Sequence, residues 1–305
     1  AFIINLISSA AMVIMLLPDI FSHWKEIDNK LWKDMMRYGM PLVLVGLAGI
    51  VNETFDRVVL DKLLVSDNPK FEIGVYGAFY KLSIIITIFI QAFRYAAEPF
   101  FFERAKEKDA PEVYALVMKY FVWVCLSAGL LTLFFINDIA TFAVRDKSYY
   151  THPDGIKIVA PLILANIFLG IIYNLSIWYK VKEKNNLGAI ISVIGAAITI
   201  IGLVVFIPKY GFLAAAYTTL VTYFVMMLLS YFVGQKHFPI PYQVGNLGVL
   251  FVVAFGCYAL NLYFLSDASF LTYVLKAMLF AVYTVLGFFV IKQGKNINLP
   301  TINRK

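Results

Sequence analysis

Long apolar segments recur along the whole chain and are separated by brief polar ones. A membrane-spanning helix needs about 20 predominantly apolar residues, and stretches of this kind occur nine times. They are Phe2–Leu17, Met40–Leu60, Gly74–Phe93, Tyr114–Ile136, Ile156–Tyr179, Leu187–Ile207, Phe212–Val233, Leu247–Leu265 and Leu271–Ile291. Alternation of polar and apolar residues at period two is absent, which disfavours a transmembrane barrel. The pattern therefore predicts an all-α integral membrane protein with about nine transmembrane helices.

Prolines and small residues refine this map. Pro41 is expected in the first turn of the second span, where its missing N–H costs little, and Pro161 is expected to kink the fifth span. The segment Ile207–Gly211 predicts a tight turn between the sixth and seventh spans. Gly188, with Ser192 and Ala196 at intervals of four, predicts that these two spans pack as a close hairpin.

Composition agrees with a membrane protein. Of the 305 residues, 61% are hydrophobic and 15% are charged, whereas soluble domains have roughly 45–50% apolar and 25% charged residues. The net charge of +7 is spread among apolar spans and does not indicate nucleic acid as a partner. Cys125 and Cys257 both lie in apolar runs, so we expect two small buried side chains and no disulfide.

Basic residues are distributed unevenly between the two sides of the predicted bundle. The segments that follow the odd-numbered spans carry 16 Lys and Arg residues, Lys119 among them, and the opposite segments carry 6. Because basic residues are enriched in cytoplasmic loops, this asymmetry predicts a cytoplasmic C-terminus. Lys276 lies just inside the last span, where its side chain is expected to snorkel to the interface.

The hairpin of the second and third spans, Gly39–Glu98, carries most of the charge found inside apolar segments. The candidate cavity residues on it are Lys81, Arg57, Glu53, Asp56, Asn52 and Arg94. Each ionisable group in a span costs roughly 2.5–3.5 kcal/mol by insertion scales, so such groups usually face a bundle interior or a watery path. This cost makes the hairpin the candidate lining of a transport path.

Two interpretations of these charges remain open. Glu53 and Arg57 have the favourable spacing for a pair on one helix face, and Glu53 and Lys81 lie at similar depths, so the charges could simply neutralise one another. Alternatively, Lys81 faces a cavity and attracts an anionic substrate. Arg94 either snorkels to the headgroups or marks the cavity entrance.

Signatures of an enzyme or of a bound cofactor are missing from the sequence. The three histidines are isolated in loops, and the chain has no phosphate-binding glycine loop, zinc spacing or nucleophile elbow. We therefore expect no catalytic, cofactor or metal residues.

A series of segments resembles one transporter family. The segments are RYGMPLV, FDRVVLDKLL, IGVYGAFYKLS, FRYAAEPFFFERA and IPKYGFLAAAYTTLVTY. In this order and spacing they resemble the C-terminal portion of the polysaccharide (O-antigen) flippases in the multidrug/oligosaccharidyl-lipid/polysaccharide exporter superfamily, over essentially the whole chain. The resemblance implies fourteen helices, arranged as two six-helix lobes and two trailing helices.

On this resemblance the chain divides into four parts. Residues 1–20 would be a truncated helix from a first lobe that this chain lacks, and 31–235 the six-helix second lobe. Residues 246–292 would be the two additional helices, and 293–305 a cytoplasmic tail. The short first span and the opening inside an apolar run likewise lead us to expect the C-terminal part of a longer protein, whose N-terminal lobe would be a partner of this one.

The resemblance also implies a function. A central cationic cavity would accept a lipid-linked oligosaccharide through its pyrophosphate, with Lys81, Arg57 and Arg94 as the matching positions. The expected activity is the flipping of undecaprenyl-pyrophosphate-linked units across the inner, cytoplasmic membrane by alternating access, among membrane lipids. Relatives couple transport to Na⁺ or H⁺, and no residue here selects between the two ions. The alternatives are a drug/cation antiporter of the same superfamily and a membrane glycan polymerase or ligase.

Overall fold

The computed structural model describes residues 2–22, 28–144, 147–265 and 269–293, and these ranges are almost entirely helical. The predicted cytoplasmic tail 293–305 lies outside them except for its first residue. The helices are α1 (Phe2–Ser22), α2 (Asn29–Leu63), α3 (Pro69–Arg104), α4 (Ala110–Phe134), α5 (Ile136–Ala143), α6 (Lys147–Tyr150), α7 (Val159–Leu175), α8 (Ile177–Val181), α9 (Asn185–Tyr210), α10 (Phe212–His237), α11 (Val244–Phe264) and α12 (Phe270–Gln293).

Eight helical segments in the described ranges are long and apolar enough to cross a membrane. They correspond to eight of the nine predicted spans, and the described ranges contain no strand. The expected all-α, multi-pass integral membrane fold is thereby confirmed. The remaining predicted span, the second, Met40–Leu60, lies within α2, which is not one of the eight and packs along α9.

The core of the bundle forms where α3, α7, α9 and α10 meet. Helix α10 packs against both α7 and α9, and α7 also packs against α3. Tyr76, Phe79 and Leu203 are fully buried there. Helix α1 contributes nothing to this core, because no residue from Ile4 to Ser22 is buried.

Two expectations about proline are wrong. Helix α2 begins at Asn29, so Pro41 lies well inside it and not in its first turn. Helix α7 begins at Val159, which places Pro161 in the first turn, where an absent N–H leaves no intrahelical bond unmade. A hydrophobic segment marks the part of a helix inside the hydrocarbon, and the helix itself can extend beyond it.

The turn between α9 and α10 is shorter than Ile207–Gly211. Helix α9 continues through Pro208 to Tyr210, and Gly211 alone links it to α10. The two helices pack closely, as predicted, with Gly202 against Thr218: a Cβ on Gly202 would lie 2.6 Å from the Thr218 Cγ2 atom. Gly188 instead packs against Tyr179.

Gly211 has φ +61° and ψ −149°, a backbone conformation that essentially only glycine adopts. We therefore expect Gly211→Ala to lower the free energy of unfolding by about 2 kcal/mol. Unfolding by a denaturing detergent, followed by circular dichroism, would measure this loss. Gly46→Ala is the matched control, because a Cβ at Gly46 meets no atom within 4 Å and alanine favours the helix. Equal free energies of unfolding for Gly211→Ala and Gly46→Ala would contradict a backbone conformation at Gly211 that requires glycine.

Two lysines join α4 and α12 at opposite ends. The Lys119 Nζ atom donates hydrogen bonds to the Ile291 carbonyl (3.1 Å) near the end of α12 and to the Gln243 side chain (2.7 Å). The Lys276 Nζ atom donates to the Phe134 carbonyl (2.9 Å) at the end of α4. Each ammonium group thus lies at the negative C-terminal end of the neighbouring helix, where cations are favourable.

Both lysines were therefore assigned to the wrong environment by sequence. Lys276 is 7% exposed and does not snorkel, and Lys119 is 3% exposed within α4. Removing Lys119 from the cytoplasmic count leaves the charge asymmetry large and unchanged in sign.

Candidate functional site

Asn52 and Asp56 lie inside the bundle, although sequence placed them among the cavity candidates. The Asn52 Oδ1 atom accepts a hydrogen bond from the Thr199 hydroxyl (2.8 Å), which is itself 3.1 Å from the Thr222 hydroxyl. The Asp56 carboxylate accepts a hydrogen bond from the Tyr76 hydroxyl. Both side chains are buried, and in this conformation their polar atoms are used to join α2 to α3, α9 and α10.

Arg57 lies one position along the chain from Asp56 but projects outward. Its side chain is exposed, and the guanidinium carbon lies 4.7 Å from the centre of the Tyr80 ring on α3. Such a cation–π contact contributes about 0.5–1 kcal/mol at an exposed position and leaves the guanidinium N–H groups free to bind an anion. No ion pair joins Glu53 to Arg57 or to Lys81 in the described part of the chain.

A cluster of alternating charge surrounds Arg94 on α3. The Arg94 guanidinium lies 4.5 Å from the centre of the Tyr173 ring on α7 and 3.9 Å from the Glu98 carboxylate. Glu98 also accepts a hydrogen bond from the Lys180 Nζ atom on α8 at 2.6 Å. Arg94 acts electrostatically on Glu53 as well. Arg94 therefore has an aromatic partner on α7 and a carboxylate partner on its own helix, and its charge also reaches Glu53 on α2.

The space at this cluster is small. The crevice between Arg94, Glu98 and Lys180 holds about 20 Å³, which is enough for a single water molecule. A glycan or a pyrophosphate group does not fit there while the three side chains pair with one another. Binding of a larger ligand requires that the Glu98–Lys180 contact open.

Lys81 differs from the other charged residues of the hairpin. It lies in the apolar part of α3, and its side chain is exposed. It makes no hydrogen bond or ion pair with any residue that the structure describes. Ile85 and Ile88 are exposed on the same side of α3. A lysine in such surroundings is costly unless water or an anionic partner reaches it.

Lys81 and Arg94 do not share one face of α3. At 3.6 residues per turn their side chains leave the helix axis in directions about 140° apart, and they are separated by about 20 Å along it. Among the described residues the structure brings Glu53 and Arg94 into one cluster, leaves Arg57 on Tyr80, and holds Lys81 apart. A single narrow path within this chain cannot be lined by both Lys81 and Arg94.

Several residues of this region are missing from the sequence-based list. Tyr80 and Tyr173 each support a guanidinium group, Lys180 completes the cluster with Arg94 and Glu98, and Tyr223 on α10 is buried behind them. An arginine inside an apolar span indicates that an aromatic or acidic partner is required, but it does not indicate which helix supplies it. Lys180 was counted with the cytoplasmic loop, because it follows the fifth span directly.

The described residues contain no group of three or more His, Cys, Asp and Glu side chains that could hold a metal ion. Cys125 and Cys257 are buried and unbonded, in agreement with the expectation from sequence. Comparison of the chain with protein-family models, with curated proteins and with solved structures finds no significant match.

Proposed function

We propose that this chain is the C-terminal part of a transporter that flips lipid-linked oligosaccharides across the cytoplasmic membrane. The observation that carries the proposal is Lys81, an exposed cation inside an apolar span with no partner among the described residues. A pyrophosphate linking a glycan to a polyprenyl lipid is an anion of the kind that would offset the cost of this lysine.

The remaining charges suit the same activity. Arg57 presents free guanidinium N–H groups in the α2 half of the hairpin, and such groups bind phosphate oxygens well. The cluster of Arg94, Glu98 and Lys180 lies at the predicted cytoplasmic end and would open as the bundle rocks between its two access states. Phosphate would then meet Arg94 at entry, whereas Lys81, on a different face of α3, would meet it only after the bundle has rocked to its other access state.

Lys81→Ala in cells expressing the full-length protein is expected to reduce surface glycan about tenfold, the loss that accompanies one charge-assisted hydrogen bond in the transport cycle. Lys81→Arg should retain most of the export, because the positive charge remains. The measurement is surface polysaccharide per cell, normalised to the amount of the variant in the membrane fraction.

Lys70→Ala is the matched control, since Lys70 lies in the first turn of the same helix and is exposed. Unchanged export by Lys81→Ala at normal protein levels would overturn the assignment of Lys81 as a substrate residue.

The drug/cation antiporter is a second candidate, which Glu53 favours. Its side chain is exposed and lies in no ion pair of the described residues, so a cation could bind its carboxylate in competition with the charge of Arg94. An antiporter would lose drug efflux in Glu53→Gln and keep it in Lys81→Ala, the reverse of the order expected for glycan export.

A further inference from the structure

A second surface feature lies outside the candidate residues of the charged hairpin. Helices α4, α7, α10 and α11 enclose a groove of about 290 Å³ that is open on one side. Its walls are apolar, with Leu130, Ile163 and Phe255 on three different helices. The only charged side chain in the lining is Lys157, and the only hydroxyls there are those of Tyr217 and Tyr258.

The depth of the groove matches one leaflet of a bilayer. Its lining extends from Lys157, just before α7, to Ile167 within that helix, which is about 15 Å of helix. The hydrocarbon core of a bilayer is about 30 Å thick, so the groove covers one half of it. On α4 the lining residues likewise lie in the half that ends at Phe134, on the side predicted to be extracytoplasmic.

The polar end of the groove carries a paired charge. The Lys157 Nζ atom lies 2.7 Å from the Asp154 carboxylate, and their side chains are 60% and 36% exposed. Exposed pairs of this kind contribute roughly 0–1 kcal/mol. An incoming phosphate can therefore share the Lys157 ammonium without a large loss elsewhere.

We propose that this groove binds one acyl chain of an outer-leaflet phospholipid, with the lipid phosphate on Lys157. An aliphatic chain enters from the membrane through the open side and lies between α7 and α11. The phosphate then remains at the level of the headgroups, where Lys157 reaches it. The site is independent of the glycan path and of the function proposed for the hairpin.

A neighbouring groove provides an internal comparison. Helices α9 and α10 enclose about 420 Å³ with a mostly apolar lining that includes Phe206 and Leu213, a few hydroxyl groups such as that of Thr218, and no charged side chain. An apolar surface alone, without a cation at the headgroup level, should hold lipid only by nonspecific contact. Comparing lipid binding at the two grooves therefore separates the contribution of the Lys157 charge from that of an apolar surface alone.

Native mass spectrometry of the purified chain tests the proposal with three probes: dioleoyl phosphatidylglycerol, dioleoyl phosphatidylethanolamine and dioleoylglycerol. One retained phospholipid per chain is expected, with dioleoylglycerol retained about fivefold less because it lacks the phosphate. Lys157→Ala should reduce phosphatidylglycerol retention by the same factor, the effect of one basic group near an anionic headgroup. Ala160→Phe, which fills the groove from α7, should abolish retention of both phospholipids.

Asp154→Asn should change phosphatidylglycerol retention in the opposite direction. It frees the Lys157 ammonium, so retention of phosphatidylglycerol should increase about twofold, by the weak coupling of an exposed pair. Lys209→Ala is the control for a lysine on the same side of the bundle, since Lys209 is exposed and outside the groove lining; it should leave retention unchanged. Circular dichroism and elution volume verify that each variant is folded.

Three results would overturn the proposal. The first is equal retention of dioleoylglycerol and of the phospholipids. The second is a Lys157→Ala variant that retains as much phosphatidylglycerol as the Lys209→Ala control. The third is a dimer of the chain that Ala160→Phe disrupts, which would show that a second copy occupies the groove.

Discussion

Changing Tyr76 to phenylalanine is expected to lower the free energy of unfolding by about 3 kcal/mol. The Tyr76 hydroxyl donates a hydrogen bond to the Asp56 carboxylate, and both residues are buried between α2 and α3. Phenylalanine preserves the packing of the ring but removes the donor of one Asp56 carboxylate oxygen, Oδ2, while Oδ1 still accepts a hydrogen bond from the Arg57 backbone N–H (2.7 Å). Titration with a denaturing detergent would measure the loss.

The double variant Asp56→Leu/Tyr76→Phe separates this account from a general effect of mutation. When both polar partners become apolar, no buried group lacks a partner, so the double variant should be more stable than Tyr76→Phe alone. Tyr80→Phe is the control, because the ring that supports Arg57 is retained, and it should change stability by about 0.5 kcal/mol or less. If the double variant lost as much free energy of unfolding as Asp56→Leu and Tyr76→Phe lose together, a direct contact between the two side chains would be contradicted.

Trp178→Ala is expected to lower the free energy of unfolding by about 3–5 kcal/mol. Trp178 is 1% exposed, and its ring stacks on His237 at a centroid distance of 5.6 Å. The absence of a side chain at Gly234 makes room for it, since a Cβ there would lie 2.8 Å from the Trp178 Cδ1 atom. Truncation would leave a cavity where α8, α9 and α10 meet. Detergent-induced unfolding again provides the measurement.

Gly234→Ala should show the same contact from the opposite side. In the natural background it pushes against a fixed indole ring and should cost about 1–3 kcal/mol. In the Trp178→Ala background the added methyl group enters the cavity, and the cost should disappear. Gly248→Ala is the control, because a Cβ there meets no atom within 4 Å. A cost of Gly234→Ala that is the same in both backgrounds would show that the two residues do not touch.

The transmembrane helices were predictable because hydrocarbon imposes a strong local constraint. Backbone N–H and C=O groups find no water there, so an apolar stretch of sufficient length must satisfy them within itself as a helix. That constraint depends on neighbouring residues only. The ends of the helices were less predictable: α2 extends twelve residues before Pro41, in a polar segment where hydropathy carries no information.

The candidate site was only partly predictable for a related reason. A charge inside a span is recognisable from sequence because it is costly, which is how Glu53, Arg57, Lys81 and Arg94 were selected. Their partners come from distant parts of the chain. Tyr173 lies beneath Arg94 from a helix that begins more than fifty residues later, and no spacing rule within α3 indicates it.

Sequence by itself therefore determined that this is a multi-pass helical membrane protein, where its apolar spans lie, and which spans carry charge. Only the tertiary structure decided which of those charges are enclosed. Asp56 is buried and accepts a hydrogen bond from Tyr76. Lys119 donates a hydrogen bond to a carbonyl near the end of α12, whereas Lys81 remains exposed. The physical reason is that the direction of a side chain follows from its own helix, but its surroundings are supplied by helices whose packing no local pattern encodes.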